Sequence, residues 1–290
     1  MLLAGLVVQA SLLEAQQAPA VASSKHSLWK VQGQQNAVYL LGSIHVLKKE
    51  DYPLPGAIDA AFTNSQIAVF ETEIDQMENP AVAMKLALKG RLPAGQTLSD
   101  QLSPAVYSAF KEYVAKTGMP MLIFDSLTPG MAAITLVTLE LKRLNLDPGY
   151  GLDKHYFDLA TQAGKKIISL ETLDFQFGLL TDFSKEEGEL LMKSTLKEID
   201  KMEKDLGEML KAWQSGDAIK LEKLLNEAKE DAPAIYKRLV TDRNANWVPK
   251  LEELAKGKEN AIVIVGAGHL VGTNGVVELM KQKGFKVVQQ

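Results

Sequence analysis

The sequence predicts an α/β (α+β) fold, in which a central mixed β-sheet is assembled from N-terminal, middle and C-terminal strands and carries large helical insertions. Three observations lead to that expectation. Short continuous apolar runs, the kind expected of strands buried on both faces, occur near both ends of the chain and in its middle. The long stretches between them open on helix start signals and repeat their apolar residues at three- and four-residue steps. No low-complexity linker interrupts the chain after residue 27, so residues 28–290 read as one domain behind a distinct segment, 1–27.

That segment, "MLLAGLVVQASLLEAQQAPAVASSKHS", places Ala, Gln and Ser after a short apolar stretch. It reads as the h-region of a signal peptide followed by a flexible mature start, with Val8-Gln9-Ala10 as a small-residue cleavage site, although no Lys or Arg precedes the apolar run. The expected location is periplasmic or secreted. No run approaches the ~18 apolar residues of a membrane-spanning helix, so no integral span is expected in the mature chain.

"SLWKVQ" (27–32) and "AVYLLG" (37–42) flank the turn-rich "GQQN" and predict a β-hairpin. Further strands are expected in "IAVFETEI" (67–74), "KKIISLE" (165–171), "NAIVIVGAG" (260–268) and "FKVVQ" after Gly284. Between them, Asn79-Pro80, Ser103-Pro104 and Thr128-Pro129 each set a capping residue before a proline at the first helical position, where the missing N–H is no loss. Gly90 and Gly118 mark the ends of the first two helices. The third, "PGMAAITLVTLELKRL", is apolar on nearly every face until Lys142 and Arg143 and predicts a buried core helix. Ser184 and Glu187 form a capping box, after which Met192, Leu196, Ile199, Met202, Leu206, Leu210 and Trp213 keep helical spacing. "DAIKLEKLLNEAKE" and the segment after Pro233 extend the helical run towards Lys256.

Composition narrows the function. At 46% hydrophobic and 23% charged residues, the chain is an ordinary globular one. A net charge of −4, with Lys and Arg interspersed among acids, leaves no basic stripe and makes nucleic acid an unexpected partner. There is no cysteine, which removes disulfides, thiolate nucleophiles and Cys-ligated zinc or iron–sulfur sites together. Any metal must be held by His, carboxylates and water.

The sharpest motif is a duplication. "AVYLLGSIHVL" and "AIVIVGAGHLV" each run a hydrophobic strand into a Gly, Gly42 or Gly266, with a His three residues later, His45 or His269. One offset relates both glycines and both histidines, and two of the four histidines of the chain sit in this matched context. A single Gly-x-x-His says little, but two copies on strand ends predict a shared site where α/β proteins place their ligands. The acidic strand end "FETEID" is the expected third contributor. If it stays extended, Glu71, Glu73 and Asp75 share one face and repel unless a metal or an arginine compensates. In "GLDKHYF", Asp153 and His155 lie at an expected helix start, where Asp153 reads as an N-cap and His155 as outside the site. Glu171 ends its strand as Glu71 ends its own and is expected nearby, whereas His26 has no neighbours that suggest chemistry.

Five stretches taken in order, "YLLGSIHVLKKEDYPLPGAIDAAFTNSQIAVFETEI", "LPAGQTLSDQL", "GLDKHYFDLATQAGKKIISLETLDFQ", "LVTDRNANWVPKL" and "VIVGAGHLVGTNGVVELMKQKGFKV", resemble the TraB/GumN family. Relatives of that family include the pheromone-shutdown proteins and the Tiki metalloproteases. The resemblance runs from Leu28 to Val288. It implies a mixed α/β domain whose site combines the paired histidines His45 and His269 with Glu71 from an early strand and Arg243 from a late helix. It also implies divalent-metal-dependent proteolysis in the Tiki-like members, while many GumN-like members have no established substrate.

On that footing, His45, Glu71 and His269 are expected to hold a divalent ion (manganese, cobalt or zinc) with a position open for water. Glu73 or another nearby acid, Glu171 among them, would take the water's proton. Arg243, helped by Asn244, would stabilise an oxyanion or a substrate carboxylate. The expected function is a metal-dependent hydrolase, a peptidase in one form, acting on a peptide or small-molecule substrate. Two other readings stay open at this point. One is a metal-independent hydrolase of the erythromycin-esterase type with a histidine base. The other is a non-catalytic protein that binds a peptide, haem or metal in the same cleft.

Overall fold

The computed structural model describes residues 25–77 and 79–290. The signal-like reading of residues 1–24 lies outside the described residues, while His26 and Ser27 are tied into the domain by bonds to the Gln290 and Trp213 carbonyls. Strands β1 (Leu28–Gln32) and β2 (Ala37–Ser43) form the expected hairpin, with Leu28 opposite Leu41 and Gln32 opposite Ala37. Its turn is pinned by Asn36, whose amide donates to the carbonyls of Leu254 at 2.9 Å and Glu259 at 2.7 Å.

Helix α1 (Gly56–Thr63) leads into β3 (Ile67–Phe70), followed by α2 (Ile74–Met77), α3 (Pro80–Lys89), α4 (Leu98–Gln101), α5 (Pro104–Thr117) and α6 (Pro129–Arg143). Then come α7 (Leu152–Gln162), β4 (Lys166–Ser169), α8 (Leu173–Thr181), α9 (Lys185–Ile199), α10 (Met202–Gln214), α11 (Ala218–Asp231) and α12 (Pro233–Tyr236). A π-helical turn over Lys237–Thr241 joins α12 to α13 (Asp242–Lys256), and β5 (Ala261–Gly266), α14 (Val276–Gln282) and β6 (Val287–Gln289) complete the chain.

The strands make one six-stranded mixed sheet in the order β4-β3-β5-β2-β1-β6. The four strands from β4 to β2 are parallel, and β1 runs antiparallel to both of its neighbours. Strands from the two ends and the middle of the sequence therefore meet as expected. Every residue of β2, β3 and β5 is buried, but the outer strands β4 and β6 are only partly covered, so burial on both faces belongs to the central strands alone.

Three further expectations are corrected. The strand expected through Ile74 stops at Phe70, because the chain turns at Thr72, whose carbonyl accepts the Ile74 N–H at 3.0 Å, and coils into α2. Glu71, Glu73 and Asp75 therefore do not share a face. The helical run after Ser184 breaks at Asp200 and Lys201 into α9 and α10. Helix α6 is buried along one face, through Ala132, Ala133, Leu136 and Glu140, and not all round, with Thr138 exposed. All three Pro-led helices start where expected, and Gly90 and Gly118 cap the first two.

The main core covers both faces of the sheet. A second hydrophobic cluster is built within the helical insertion by Leu98, Phe110, Phe124, Leu136 and Met192, with the Phe110 and Phe124 rings edge to face at 5.1 Å. Among the described residues no helix is long and apolar enough to cross a membrane. Phe110 is fully buried, so Phe110→Ala should destabilise the protein by about 3–5 kcal/mol, read as a shift in the urea unfolding midpoint. A loss below about 1 kcal/mol would show that this cluster contributes little to folding.

Candidate functional site

The four parallel strands end at one edge of the sheet, and each delivers a residue there. His45 follows β2, Glu71 follows β3, Glu171 follows β4, and β5 ends at Gly266 before the 3-10 turn that carries His269. This is the carboxyl-end crevice where open α/β sheets gather functional groups. The two Gly-x-x-His copies are not equivalent in space, because the ladder pairs Ser43, not Gly42, with Gly266. His269, packed on Trp247 with ring centroids 4.5 Å apart, is buried, while the His45 side chain is 62% exposed at the mouth of the site.

Arg243, on the first turn of α13, occupies the centre. Its Nη2 donates to Glu71 Oε2 at 2.6 Å and to Glu171 Oε2 at 2.8 Å, its Nε to Glu171 Oε1 at 2.9 Å, and its Nη1 to His269 Nε2 at 3.1 Å. Nη1 also donates to the Leu239 carbonyl in the π-helical turn, at 3.1 Å. One turn further along α13, Trp247 lies 4.9 Å from the guanidinium and donates its Nε1–H to Glu171 Oε1 at 2.8 Å. A buried guanidinium is tolerable only when its charge is paired and its N–H groups are used, and both conditions hold here.

Because arginine can only donate, His269 Nε2 is an acceptor and its Nδ1–H donates to Asn244 Oδ1, 2.6 Å away. The Asn244 amide group in turn donates to the carbonyls of His269 and Asn274. Burial, opposed by the Glu71 charge, lowers the His269 pKa to about 4, so this ring is neutral at pH 7. His45 is held differently. Its Nδ1 meets Asp153 Oδ2 at 2.7 Å, and the Ser43 hydroxyl donates to the other oxygen of Asp153 at 2.8 Å. The Asp153 charge, with its hydrogen bond, raises the His45 pKa to about 9. Burial pushes the Glu71 carboxyl up, but His269, His45, Arg243 and the Gly266 N–H, which donates to Oε1 at 2.6 Å, together bring it down to about 2.

Gly266 lies where these groups converge. A Cβ on it would stand 3.2 Å from His45 Nε2, 3.3 Å from Glu71 Oε1 and 3.6 Å from His269 Cδ2. A cavity of about 540 Å³ opens over them, a volume typical of ligand sites. Ile74, Met77, Leu179, Leu180 and Leu239 form its apolar lining.

His45, Glu71, Arg243, Glu171, Asn244 and His269 are thus brought together. Glu73 is not: its carboxylate accepts the Leu173 N–H at 3.0 Å and lines a separate depression beside Lys85 and Asp174. Glu171 is committed to Arg243 and Trp247. Asp153 lies inside α7 behind the N-cap Gly151 and orients His45 instead of capping. His155 packs on Tyr52, with ring centroids 4.9 Å apart. Sequence reasoning missed Trp247, although its four-residue spacing from Arg243 places both on one helical face.

A raised pKa means that the His45–Asp153 pair stabilises the fold fully below the ordinary histidine value of about 6.5 and loses its contribution as pH rises through about 9. In ion-free protein the His45 ring protons should titrate near pH 9 by NMR, and Asp153→Asn should return the midpoint towards the ordinary value. A wild-type midpoint below 7 would contradict this arrangement.

Relatives share the chain at low identity. The uncharacterized protein YbaP of Escherichia coli (strain K12) is 23% identical over 243 residues, covering 84% of this chain and 87% of its own. An uncharacterized protein of Treponema pallidum (strain Nichols) is 22% identical over 283 residues, covering 91% of this chain and 83% of its own. The uncharacterized protein MJ1365 of Methanocaldococcus jannaschii is 38% identical over 61 residues, 21% of this chain and 15% of its own. No solved structure matches significantly. The match that decides membership spans residues 27–289, the sheet and its site included: the chain belongs to the TraB/PrgY/gumN family.

Proposed function

We propose that this protein is a divalent-metal-dependent hydrolase that acts on a peptide or a similar amide. The observation that carries the reading is how its two histidines are held. Each ring has its Nδ1 engaged by an oxygen acceptor, Asp153 for His45 and Asn244 for His269, which leaves Nε2 for the interior side, where Glu71 lies. That is the outer-shell support characteristic of metal-ligating histidine. Two imidazole nitrogens and one carboxylate also suit manganese, cobalt or zinc in donor type.

Arg243 competes for the same groups. Among the described residues no three His, Asp or Glu side chains form a ready metal site, and the guanidinium occupies both His269 Nε2 and Glu71 Oε2. In this reading His45, once the proton it carries below about pH 9 is displaced, would hold a divalent ion together with Glu71 and His269, and the ion would supply Lewis acidity for hydrolysis at a carbonyl. Asp153 fixes the His45 tautomer, Glu171 and Trp247 keep Arg243 in place to receive developing negative charge, and the apolar lining limits water. Residues 1–27 suggest that the protein acts in the periplasm or outside the cell.

The position of Arg243 favours one rival, a metal-independent hydrolase in which the guanidinium is itself the fixed cation. Elemental mass spectrometry on tag-free protein separates the two. Near-stoichiometric manganese, cobalt or zinc in wild type, lost in the His45→Ala/His269→Ala double variant, is the expected result. A folded wild type that takes up none of these ions when supplied, with hydrolysis that survives chelator, would establish the rival.

Gly266 provides an independent check. Its φ of −48° suits any residue, so Gly266→Ala should fold with the wild-type circular dichroism spectrum. The added methyl would crowd His45 and Glu71 and should weaken metal affinity about 10- to 100-fold. Unchanged affinity would place the ion elsewhere.

A further inference from the structure

Thr72 is a polar residue of the cavity wall whose side chain the arrangement above does not use. It follows Glu71 directly, lines the cavity and is 5% exposed, and its hydroxyl has no hydrogen-bond partner among the described residues. Its backbone explains its position, since the Thr72 carbonyl accepts from Ile74 at the turn that ends β3. Nothing in the fold explains the hydroxyl. A valine has nearly the same shape and would fill the space without burying an unpaired donor and acceptor.

The other polar side chains of the wall are already engaged: His45 with Asp153, Glu71 with Gly266 and Arg243, Lys154 with Asp158, and Gln176 with Glu171. The remaining wall is mostly aliphatic, supplied by α2, α8 and Leu239 of the π-helical turn. A ligand that fits has to present a bulky apolar group to those side chains and a neutral hydrogen-bonding group to Thr72. The hydroxyl oxygen is itself shielded from solvent, and rotation about χ1, which exchanges it with the methyl group in the same volume, is what would present it to a ligand; because it both donates and accepts, it can then serve either side of an amide.

We infer that the Thr72 hydroxyl is a positioning group that hydrogen-bonds the backbone amide of a peptide-like substrate whose apolar side chain packs on Ile74, Leu179 and Leu239. The inference rests on the hydrolase reading and deepens it by naming the group that orients the substrate and the side chain it prefers, and it concerns binding, which is measurable whether or not the bound molecule is cleaved.

The test uses the full chain, freed of divalent metal by chelator, and two probes of matched shape, N-acetyl-leucine N-methylamide and N-acetyl-asparagine N-methylamide, titrated by NMR, which also reports any cleavage, against wild type, Thr72→Val and Thr72→Ser. For fragments of this size dissociation constants about millimolar are expected. The leucine probe should bind wild type at least about tenfold more tightly than the asparagine probe. Thr72→Val should weaken the leucine probe about three- to tenfold and Thr72→Ser should restore it. The melting temperature of Thr72→Val should be unchanged or raised by about 1–4 °C, because an unpaired buried hydroxyl is removed, whereas a purely structural threonine would lose stability.

Equal affinity of Thr72→Val and wild type, equal affinity for the two probes, or no saturable binding of either would overturn the inference. Hydroxyl-dependent binding of the leucine probe in a protein that cleaves no amide would sustain it and reject the hydrolase reading alone.

Discussion

One buried guanidinium organises this molecule. Arg243 bridges Glu71 from the end of β3, Glu171 from beyond β4 and His269 from beyond β5, and so ties three strand ends to helix α13. Two carboxylates beside one arginine leave the cluster net negative, since His269 is neutral at pH 7. Carboxylates this close and this buried repel each other unless a cation stands between them. The interaction that ties the sheet edge together is therefore also one of those that keep Glu71 ionised, beside His45 and the Gly266 N–H, and it fixes His269 Nε2 as an acceptor. The chemistry available at the site follows from that constraint.

The same constraint defines the competition at the site. A divalent ion and the guanidinium would take the same two groups, Glu71 Oε2 and His269 Nε2, whereas His45, among the described residues, is hydrogen-bonded to Asp153 and not to Arg243. His45 also stands at the mouth of the cavity. The two copies of Gly-x-x-His thus have different work. One positions a buried neutral ring against a fixed charge, and the other presents an exposed ring to whatever enters.

Much of this was legible in the sequence, for identifiable reasons. Caps and turns depend on neighbouring residues, so the hairpin around "GQQN" and the helices led by Pro80, Pro104 and Pro129 are found where their local signals place them. The gathering of His45, Glu71 and His269 at one edge follows from strand ends, which are also local. What could not be read is long-range. The one-residue shift between Gly42 and Gly266 arises from ladder register, and the packing of α13 over His269, through Trp247, Arg243 and Asn244, buries that histidine while His45 stays exposed. Asp153 looked like a helix cap because a carboxylate near a helix start ordinarily is one, and only the approach of β2 shows that it faces Ser43 and His45 instead. Glu73 failed for the same kind of reason: strand alternation assumes an extended chain, and the turn at Thr72 ends it.

The division of labour along the chain has a further consequence. The polar groups come from the sheet edge, α7 and α13, where the parallel ladder and the Arg243 pairs fix their positions. The apolar lining comes from α2, α8 and the π-helical turn, which belong to the segments inserted between strands. Substitutions in those insertions change the size and polarity of the cavity without touching the charges beneath it. Substitutions at the strand ends alter the charge balance whatever lies above. The lining of the cavity and the charges beneath it therefore lie on separate segments of the chain, so each can change while the other is kept.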